Sequence, residues 1–281
     1  MLDRMLAHKR AEIQRLDLPA LQRRALDMPP PRDFLAGLRS AQPRARPALI
    51  AELKRASPSR GILALDIDLT QLARIYAENG AAALSVLTDE AFFYGSLDTL
   101  RALSLGTPRL PLLRKDFILS TAQVYESRAA GADAILLIAS ILDEAELRDL
   151  CGLARELGMA AMVEVHSVED LERALSMAES GDRMTPLIGI NNRDLRDFSV
   201  SLDTTVRLRP LIPDGVFVVA ESGIRSAEDV ARLAKIGVDA ILVGEALVTA
   251  PDIGAKVREL AGMGPGGLTA ECAESAENKI L

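Results

Sequence analysis

An acidic and a basic side chain, Glu52 and Lys54, stand two residues apart in a strand-like segment, Leu49–Arg55. Because successive side chains of a strand point to opposite faces, both charges share a face with Ile50. If that face points inward, both charges leave water, which is costly unless they are paired or used in chemistry. A solvent-facing edge strand that carries a surface ion pair is the alternative for this segment taken alone.

The same pattern, an apolar run that ends in polar side chains, recurs along the chain. The residues that end later runs are Lys115, Glu164, Asn191 with Arg193, Glu221, and the pair Gly244-Glu245. Lysines and carboxylates that converge in one cavity shift each other's pKa values, as acid–base catalysis requires. A desolvated lysine can then be a general acid near neutral pH, with a carboxylate as general base. His166 shares a face with Glu164, and we expect it to cap a loop rather than to act in catalysis.

Two short turns predict a phosphate site. Ser222-Gly223 and Gly244-Glu245 each follow an apolar run and stand just before a predicted helix. Free backbone N–H groups and the helix dipole favour a phosphate at such a place. In this aromatic-poor chain, Phe93 and Phe117 either belong to the core or line an apolar or aromatic substrate pocket.

Eight short apolar runs are the predicted strands that position these residues. They are Leu49–Leu53, Ala83–Leu87, Leu110–Leu113, Ala134–Ile138, Ala160–Val165, Leu187–Ile190, Val216–Ala220 and Ala240–Val243. Their starts lie roughly 24 to 34 residues apart, the length of one strand, one helix and two loops. Continuous apolar runs are typical of parallel strands buried on both faces. The pattern predicts an α/β fold, a single (β/α)8 TIM barrel with its site at the C-terminal ends of the strands. A doubly wound open sheet is the alternative, disfavoured because no GxGxxG turn follows an early strand.

The flanking segments divide the chain into three parts. Residues 1–45 predict an N-terminal helical extension that lies across the barrel, and residues 46–261 predict the barrel itself. Residues 262–281 begin with a glycine-rich stretch and continue as small, polar residues, which predicts a disordered tail.

Composition and charge exclude several function classes. Hydrophobic residues make up 49% of the 281 residues, enough for a large core, and the net charge of −7 argues against broad nucleic-acid binding. Neither Cys151 nor Cys272 has a metal-type neighbourhood, so we expect no metal site, and two cysteines suit a reducing cytoplasm. The first 18 residues lack the apolar core of a signal peptide. No apolar run approaches the roughly 20 residues that span a bilayer, so no membrane contact is expected.

Seven segments carry a resemblance to a known family. They are Ile50–Gly61, Ser85–Asp89, Phe92–Ser96, Leu113–Phe117, Val163–His166, Gly189–Leu195 and Ala220–Ile224. In this order they resemble the motifs of the indole-3-glycerol phosphate synthase family, and the resemblance covers about residues 1 to 260.

The resemblance implies a barrel lyase that needs neither metal nor cofactor. It implies closure of the indole ring of 1-(2-carboxyphenylamino)-1-deoxyribulose 5-phosphate, with loss of CO₂ and water, in tryptophan biosynthesis. By matching positions, Lys115 is the general acid, Glu164 is its partner in proton transfer, and Lys54 holds the substrate carboxylate. Glu52 and Asn191 orient sugar hydroxyls and catalytic groups. How the proton transfers divide among Lys54, Lys115 and Glu164 stays open.

The remaining matching positions bind the substrate, which is a phosphorylated small molecule. The implied phosphate contacts are Ser57, Ser222, Gly223, Gly244 and Glu245, the last two through backbone N–H groups. The other implied substrate contacts are Phe93, Phe117, Arg193 and Glu221. Arg193 is also expected to orient Glu164 or Glu221, and the chain to be a monomer or a weak homo-oligomer.

Two other functions remain open at this point. A Schiff-base aldolase or another sugar-phosphate barrel enzyme would use Lys54 or Lys115 as a covalent nucleophile. A non-catalytic barrel that only binds a phosphorylated ligand would keep the fold without the chemistry. Such a scaffold has no need for Lys54, Lys115 and Glu164 together on one rim.

Overall fold

Eight parallel strands close into a barrel in the computed structural model, which describes residues 1–41, 46–57, 61–63, 67–106, 108–179, 187–194 and 198–263. The strands are β1 (Ala48–Leu53), β2 (Ala56–Ser57), β3 (Gly61–Ile62), β4 (Ala83–Leu87), β5 (Leu112–Lys115), β6 (Ala134–Ile138), β7 (Ala160–Val165), β8 (Leu187–Asn191), β9 (Val218–Glu221) and β10 (Ala240–Val243). The short pair β2 and β3 forms a separate antiparallel hairpin, and the other eight strands form the barrel.

The predicted (β/α)8 TIM barrel is confirmed. Each barrel strand pairs in parallel with the next along the chain, and β10 returns to pair with β1, Ala48 opposite Ala240. The open-sheet alternative is wrong, because this last pairing leaves neither strand as a free edge. The strand predicted at residues 110–113 begins instead at Leu112 and continues to Lys115, since Pro111 has no N–H to give to a ladder.

Helices alternate with the barrel strands and cover them. They are α1 (Leu2–Ile13), α2 (Leu18–Leu26), α3 (Phe34–Ser40), α4 (Leu69–Glu78), α5 (Glu90–Phe93), α6 (Leu97–Leu105), α7 (Thr121–Ala129), α8 (Glu144–Glu156), α9 (Val168–Glu179), α10 (Asp203–Leu208), α11 (Ala227–Lys235), α12 (Glu245–Val248) and α13 (Ile253–Ala261). Several begin where the sequence carries a capping residue. Ser226 and Asp229 form a capping box at the start of α11, and Ser167 Oγ accepts the Asp170 N–H at 3.1 Å beside the start of α9.

Strand alternation divides the apolar side chains between two cores. Leu49 and Ala51 point outward and pack in the layer between strands and helices. Ile50, Leu113 and Leu242 point inward and fill the barrel, where none is more than 4% exposed. The next inward positions along these strands therefore lie above an apolar plug, at the C-terminal mouth of the barrel.

The three N-terminal helices contact the barrel at different heights. Phe34 and Leu38 of α3 are buried in the same cluster as Ala48 and Ala240, the first residues of their strands, so α3 covers the N-terminal end. Helix α2 packs on α7. Lys9 of α1 reaches side chains that follow β4 and β5, so α1 lies at the C-terminal rim.

The C-terminal end of the described chain follows α13, where Gly262 adopts a left-handed conformation with φ of 74°. Of the predicted tail, residues 264–281 lie outside the described residues, as does Cys272. In the described ranges, every helix is too short or too polar to pass through a bilayer.

Candidate active site

A cavity of about 430 Å³ opens at the C-terminal ends of the barrel strands. The expected site residues that line it are Glu52, Lys54, Phe93, Lys115, Phe117, Glu164, Asn191, Arg193, Glu221, Ser222, Gly223, Gly244 and Glu245. Ser57 lies in β2, and its side chain is outside the part of the chain that the structure describes. Residues far apart in sequence therefore meet in one cavity because each ends a strand or begins the loop after it.

The Lys115 ammonium lies between two glutamates inside this cavity. Its Nζ is 3.0 Å from Glu164 Oε2 and also contacts Glu221 Oε2, and none of the three side chains is more than 13% exposed. Burial alone would lower the lysine pKa, but the carboxylates of Glu164, Glu221 and Glu52 outweigh burial and raise the pKa above its ordinary value. The expectation of a lysine pKa lowered by desolvation is therefore wrong. Lys115 keeps its proton.

Glu164 is held as a carboxylate by its neighbours. Burial would raise its pKa, but the Lys115 ammonium, with smaller contributions from His166 and an Asn191 hydrogen bond, brings the pKa below its usual range. The amide of Asn191 is itself oriented, since its Oδ1 accepts the backbone N–H of Arg193 at 3.0 Å. Asn191 therefore positions Glu164 in this structure.

Glu221 shares Lys115 with Glu164 but has a different environment. Its Oε1 is buried and has no hydrogen-bond partner among the described residues. A Cβ on Gly189 would stand 2.5 Å from that oxygen, so a larger residue there would have to displace the Glu221 carboxylate. Burial raises the pKa of Glu221 to about 7, with Glu164 adding to the rise and Lys115 opposing it. Both carboxyl groups contact Lys115, but the pKa of Glu221 is raised and that of Glu164 is lowered. Glu221 is therefore the group that can hold a proton, and Glu164 is the group that can accept one.

Glu52 and Lys54 form an ion pair at the mouth of the barrel rather than on an outer surface. The Lys54 Nζ contacts Glu52 Oε1, and the side chains are 17% and 5% exposed, respectively. Both line the cavity, so the surface-pair alternative is wrong for this segment. A Cβ on Gly244 would stand 2.5 Å from Glu52 Oε1, which shows how closely the β10–α12 junction approaches β1.

The two turns predicted to precede helices differ from each other. Gly244 is the N-cap of the short helix α12, as expected. The turn at Ser222-Gly223 is not at a helix start, because α11 begins at Ala227 after its own cap, Ser226. Ser222 and Gly223 instead both adopt left-handed backbone, with φ of 65° and 80°. A serine in that region is uncommon and marks a locally constrained backbone beside the cavity.

Arg193 does not contact either glutamate that it was expected to orient. Its Nη2 lies 3.9 Å from Glu245 Oε2, and its Nη1 donates to the Phe198 carbonyl at 3.4 Å. Neither Glu164 nor Glu221 forms an ion pair with it. Arg193 lies two residues beyond the end of β8, so its side chain reaches the outer rim of the barrel rather than the two glutamates.

Two aromatic side chains form one wall of the cavity. The rings of Phe93 and Phe117 lie 6.3 Å apart at an angle of 49°. Asp89 positions the first of them, since its Oδ1 accepts the N–H of Phe92 at 2.8 Å and caps α5. Both rings line the cavity, as the substrate-pocket alternative predicts.

A buried lysine on α1 was not singled out in the sequence. Lys9 is 3% exposed, and its Nζ lies 3.0 Å from Asp89 Oδ2, 2.9 Å from Asp116 Oδ1 and 2.7 Å from Glu12 Oε2. Asp116 follows Lys115 directly, so α1 is tied to the loops that carry both cavity aromatics. The sequence contains one indication that Lys9 is buried: it stands four residues after Met5, on the apolar face of the helix.

Arg114, with side-chain parity opposite to Lys115, faces the helices as the alternation predicts. Its Nη2 lies 3.1 Å from Asp116 Oδ2 and 2.8 Å from Glu126 Oε2 of α7. Within the described ranges, no group of three His, Cys, Asp or Glu side chains is arranged to hold a metal ion.

Comparison with known proteins identifies the family. The family model described as indole-3-glycerol phosphate synthase matches residues 2–260. The chain belongs to the indole-3-glycerol phosphate synthase family. It is 51% identical over 273 residues to the indole-3-glycerol phosphate synthase of Roseiflexus castenholzii, covering 93% of this chain and 98% of that protein. It is 53% identical over 249 residues to the synthase of Dehalococcoides mccartyi, covering 88% of this chain and 92% of that one.

As a member of this family the chain is a carboxy-lyase of tryptophan biosynthesis. It converts 1-(2-carboxyphenylamino)-1-deoxyribulose 5-phosphate to indole-3-glycerol phosphate, with loss of CO₂ and water.

Solved structures of other enzymes share the fold alone. A 3-hexulose-6-phosphate synthase from Salmonella typhimurium superposes with a TM-score of 0.60 at 17% identity, covering 76% of this chain and 96% of that one. A thiamine phosphate pyrophosphorylase from Pyrococcus furiosus superposes with a TM-score of 0.53 at 20% identity, covering 77% and 94%.

Proposed function

We propose that ring closure takes place in the cavity at the C-terminal rim, with Lys115 as the central catalytic group. The observation that carries the proposal is the buried Lys115 ammonium between Glu164 and Glu221. Ring closure needs a proton donor where the substrate ketone becomes an alkoxide, and a base close by. A charged lysine between a low-pKa and a raised-pKa carboxylate supplies both.

The chemistry assigns a task to each of these groups. The ring carbon that bears the carboxylate attacks the C2′ ketone, CO₂ leaves, and a hydroxyl is lost as water. Lys115 keeps its proton before reaction because its pKa is raised, so it can give it to the ketone oxygen or to the departing hydroxyl. Glu164 is ionised because its pKa is held low, and it accepts the proton that leaves C1′ when the hydroxyl is lost as water.

Two further groups hold the substrate for attack. We assign the substrate carboxylate to Lys54 at the mouth of the barrel, where it also supports the reacting centre electrostatically. Glu52 and Asn191 orient sugar hydroxyls and the catalytic groups. Folding a flexible sugar phosphate so that its ketone meets an aromatic carbon is an orientation problem, and anchors at both ends reduce its entropic cost.

The phosphate is assigned to the turns after β9 and β10, at Ser222, Gly223, Gly244 and Glu245, together with Ser57. Glu245 contributes its backbone N–H, because its carboxylate would repel a phosphate, and Arg193 at 3.9 Å offsets that charge. Phe93 and Phe117 are assigned to the aromatic ring of the substrate, which their offset rings can contact.

The raised pKa of Lys115 disfavours the Schiff-base alternative, since a nucleophilic lysine must first lose its proton. Borohydride treatment with a keto-sugar phosphate separates the two mechanisms. We expect no trapped adduct. A stable adduct on Lys54 or Lys115 would favour an aldolase-type mechanism.

Lys115→Met and Glu164→Gln test the proposed roles together. Without its donor, Lys115→Met should lose at least about 10³-fold in kcat, and Glu164→Gln should lose about 10²–10⁴-fold in kcat with little change in KM. The measurement is the fluorescence of indole-3-glycerol phosphate formed from the carboxyphenylamino substrate without added metal. Circular dichroism checks that both variants keep the fold. Wild-type rates in either variant would remove that residue from the mechanism.

Assembly and location are proposed on separate grounds. We propose a monomer or weak homo-oligomer, because the groups assigned here come from one chain, and light scattering across concentrations tests it. The net charge of −7 and the use of only two cysteines support a cytoplasmic enzyme without a nucleic-acid partner.

A further inference from the structure

His166 follows β7 and has no role in the chemistry proposed above. Its backbone N–H donates to Asp170 Oδ2 at 3.0 Å, so the backbone rather than the imidazole makes the loop cap. The imidazole lies between two carboxylates, with Nε2 3.3 Å from Glu164 Oε1 and Nδ1 3.9 Å from Asp170 Oδ2. Its side chain is 15% exposed.

Both imidazole nitrogens are buried, and among the described residues neither has a hydrogen bond of good geometry. A ring N–H excluded from water needs an acceptor. Glu164 Oε1 lies within reach, and the hydrogen bonds of catalytic groups are often long or poorly aligned until substrate binds. A small rotation of the ring would complete a hydrogen bond from Nε2 to Glu164.

The two oxygens of Glu164 therefore face different partners. Oε2 lies 3.0 Å from Lys115 Nζ, on the side that lines the cavity, and Oε1 faces His166. The described residues that line the cavity include Lys115 and Glu164 but not His166, so the imidazole stands behind the carboxylate. We propose that His166 is a positioning residue for the reaction, holding Glu164 Oε1 from behind so that Oε2 stays beside Lys115. The inference rests on the function proposed for Glu164.

The charges around the imidazole give this role a pH dependence. Glu164 of β7 and Asp170 of α9 face the ring directly, and Arg173 of α9 pairs with Asp170 at 2.7 Å. On the far side of Glu164 stands the Lys115 ammonium of β5. After Lys115, the imidazole of His166 is the next group that holds the pKa of Glu164 low against burial. If the ring is removed, Glu164 takes up a proton at a higher pH.

Two substitutions of the same residue separate its hydrogen bond from its charge. In His166→Ala we expect kcat to fall about tenfold with KM within about twofold, because Glu164 loses its rear support. In His166→Gln we expect most of this kcat to return, because the amide N–H can reach the place of Nε2. Both variants should shift the acid limb of the kcat profile to higher pH, since neither has the imidazole that lowers the pKa of Glu164.

His8→Gln is the matched control, because the chain has only two histidines and His8 lies on the solvent side of α1 with 48% of its side chain exposed. It should keep the wild-type kcat and pH profile. Wild-type kcat and pH profile in both His166 variants, with Glu164→Gln impaired, would overturn this inference alone. Wild-type turnover in Glu164→Gln would overturn the role of Glu164 and this inference with it.

A spectroscopic readout covers the case in which His166→Ala does not fold. With ¹⁵N-labelled histidine, His8→Gln assigns the two sets of imidazole signals. Glu164→Gln should then move the signals of His166 and leave those of His8 in place. Unmoved His166 signals would overturn the proposed contact.

Discussion

The catalytic cluster contains one buried cation and more than one carboxylate, and this imbalance sets its protonation. Lys115 is surrounded by Glu164, Glu221 and Glu52, so it remains an ammonium although it is out of water. One carboxylate in the cluster has no cation to pair with. The pKa of Glu221 is accordingly raised to about 7. A substrate carboxylate and phosphate enter this field and must be met by Lys54 and by backbone N–H groups.

Relative to the wild type, Glu221→Gln should stabilise the protein more at alkaline pH than at acid pH. The folded-state pKa of about 7 lies above the ordinary 4.5, so between these values the folded chain holds a proton that the unfolded chain has lost. Wild-type stability therefore falls as pH rises through this window, and a glutamine cannot ionise. We expect a Tm gain over wild type larger at pH 8 than at pH 5 by about 3 °C or more.

Glu144→Gln is the control for this measurement, since Glu144 is a carboxylate with 53% of its side chain exposed. Its Tm difference from wild type should be nearly the same at both pH values. An equally flat result for Glu221→Gln would show that Glu221 is ionised without cost in the folded chain.

The elements that matter most for the site are strand ends and one helix outside the barrel. Six strands end in residues that line the cavity, and the loops after β4 and β5 add the aromatic wall. Helix α1 reaches these two loops through Lys9, whose ammonium meets Asp89 and Asp116. The pKa of Lys9 is raised although burial opposes it, because Asp116, Glu12 and Asp89 surround it.

Lys9→Met should destabilise the protein and weaken substrate binding. The change leaves buried carboxylates without their cation, which typically costs about 3–5 kcal/mol of unfolding free energy. Because Asp89 caps α5 and Asp116 follows Lys115, the aromatic wall should loosen and KM should rise several-fold. Urea unfolding and steady-state kinetics measure the two effects.

Arg148→Met offers a matched comparison, because it removes the cation of the exposed Arg148–Glu144 pair at 2.7 Å. Such a surface pair contributes about 0.5 kcal/mol or less. If Lys9→Met cost no more than Arg148→Met, the buried cluster would not hold α1 to the rim.

At the scale of the whole molecule, barrel closure brings the two ends of the strand sequence together. Pairing of β10 with β1 sets Ala51 opposite Val243, so Glu52 comes to stand beside Gly244. Gly244 has φ of −127°, which any residue can adopt, so space rather than backbone freedom requires glycine here. A Cβ would lie 2.5 Å from Glu52 Oε1 and 3.0 Å from its Cβ.

Gly244→Ala should therefore displace Glu52 and lower kcat/KM by about tenfold or more. Gly152→Ala is the matched control, because a Cβ there has no atom within 4 Å and the position lies inside α8. That change should leave kinetics intact and stabilise the protein by about 0.5–1 kcal/mol. Wild-type kcat/KM in Gly244→Ala would mean that Glu52 has room to move without loss of function.

Much of the barrel could be predicted from the sequence because buried parallel strands are continuous apolar runs at even spacing. Six of the eight runs match a barrel strand to within one residue at each end, among them Ala83–Leu87 and Ala134–Ile138. Strand alternation also separates inward from outward charges, since Lys115 meets Glu164 in the cavity and Arg114 meets Glu126 of α7. These are local properties of the chain, so local sequence carries them.

The sequence by itself determined the barrel, its family, and which residue types meet at the mouth. Only the tertiary structure decided how those residues divide their charges. In the folded chain the pKa of Lys115 is raised, whereas desolvation alone would lower it. Arg193 lies near Glu245, and Lys9 is buried between Asp89 and Asp116. Proton affinities and ion-pair partners depend on distances of 3 to 4 Å between segments far apart in sequence. The Glu52–Lys54 pair shows both sides: alternation placed the two charges on one face, and closure of the barrel made that face the mouth of a cavity.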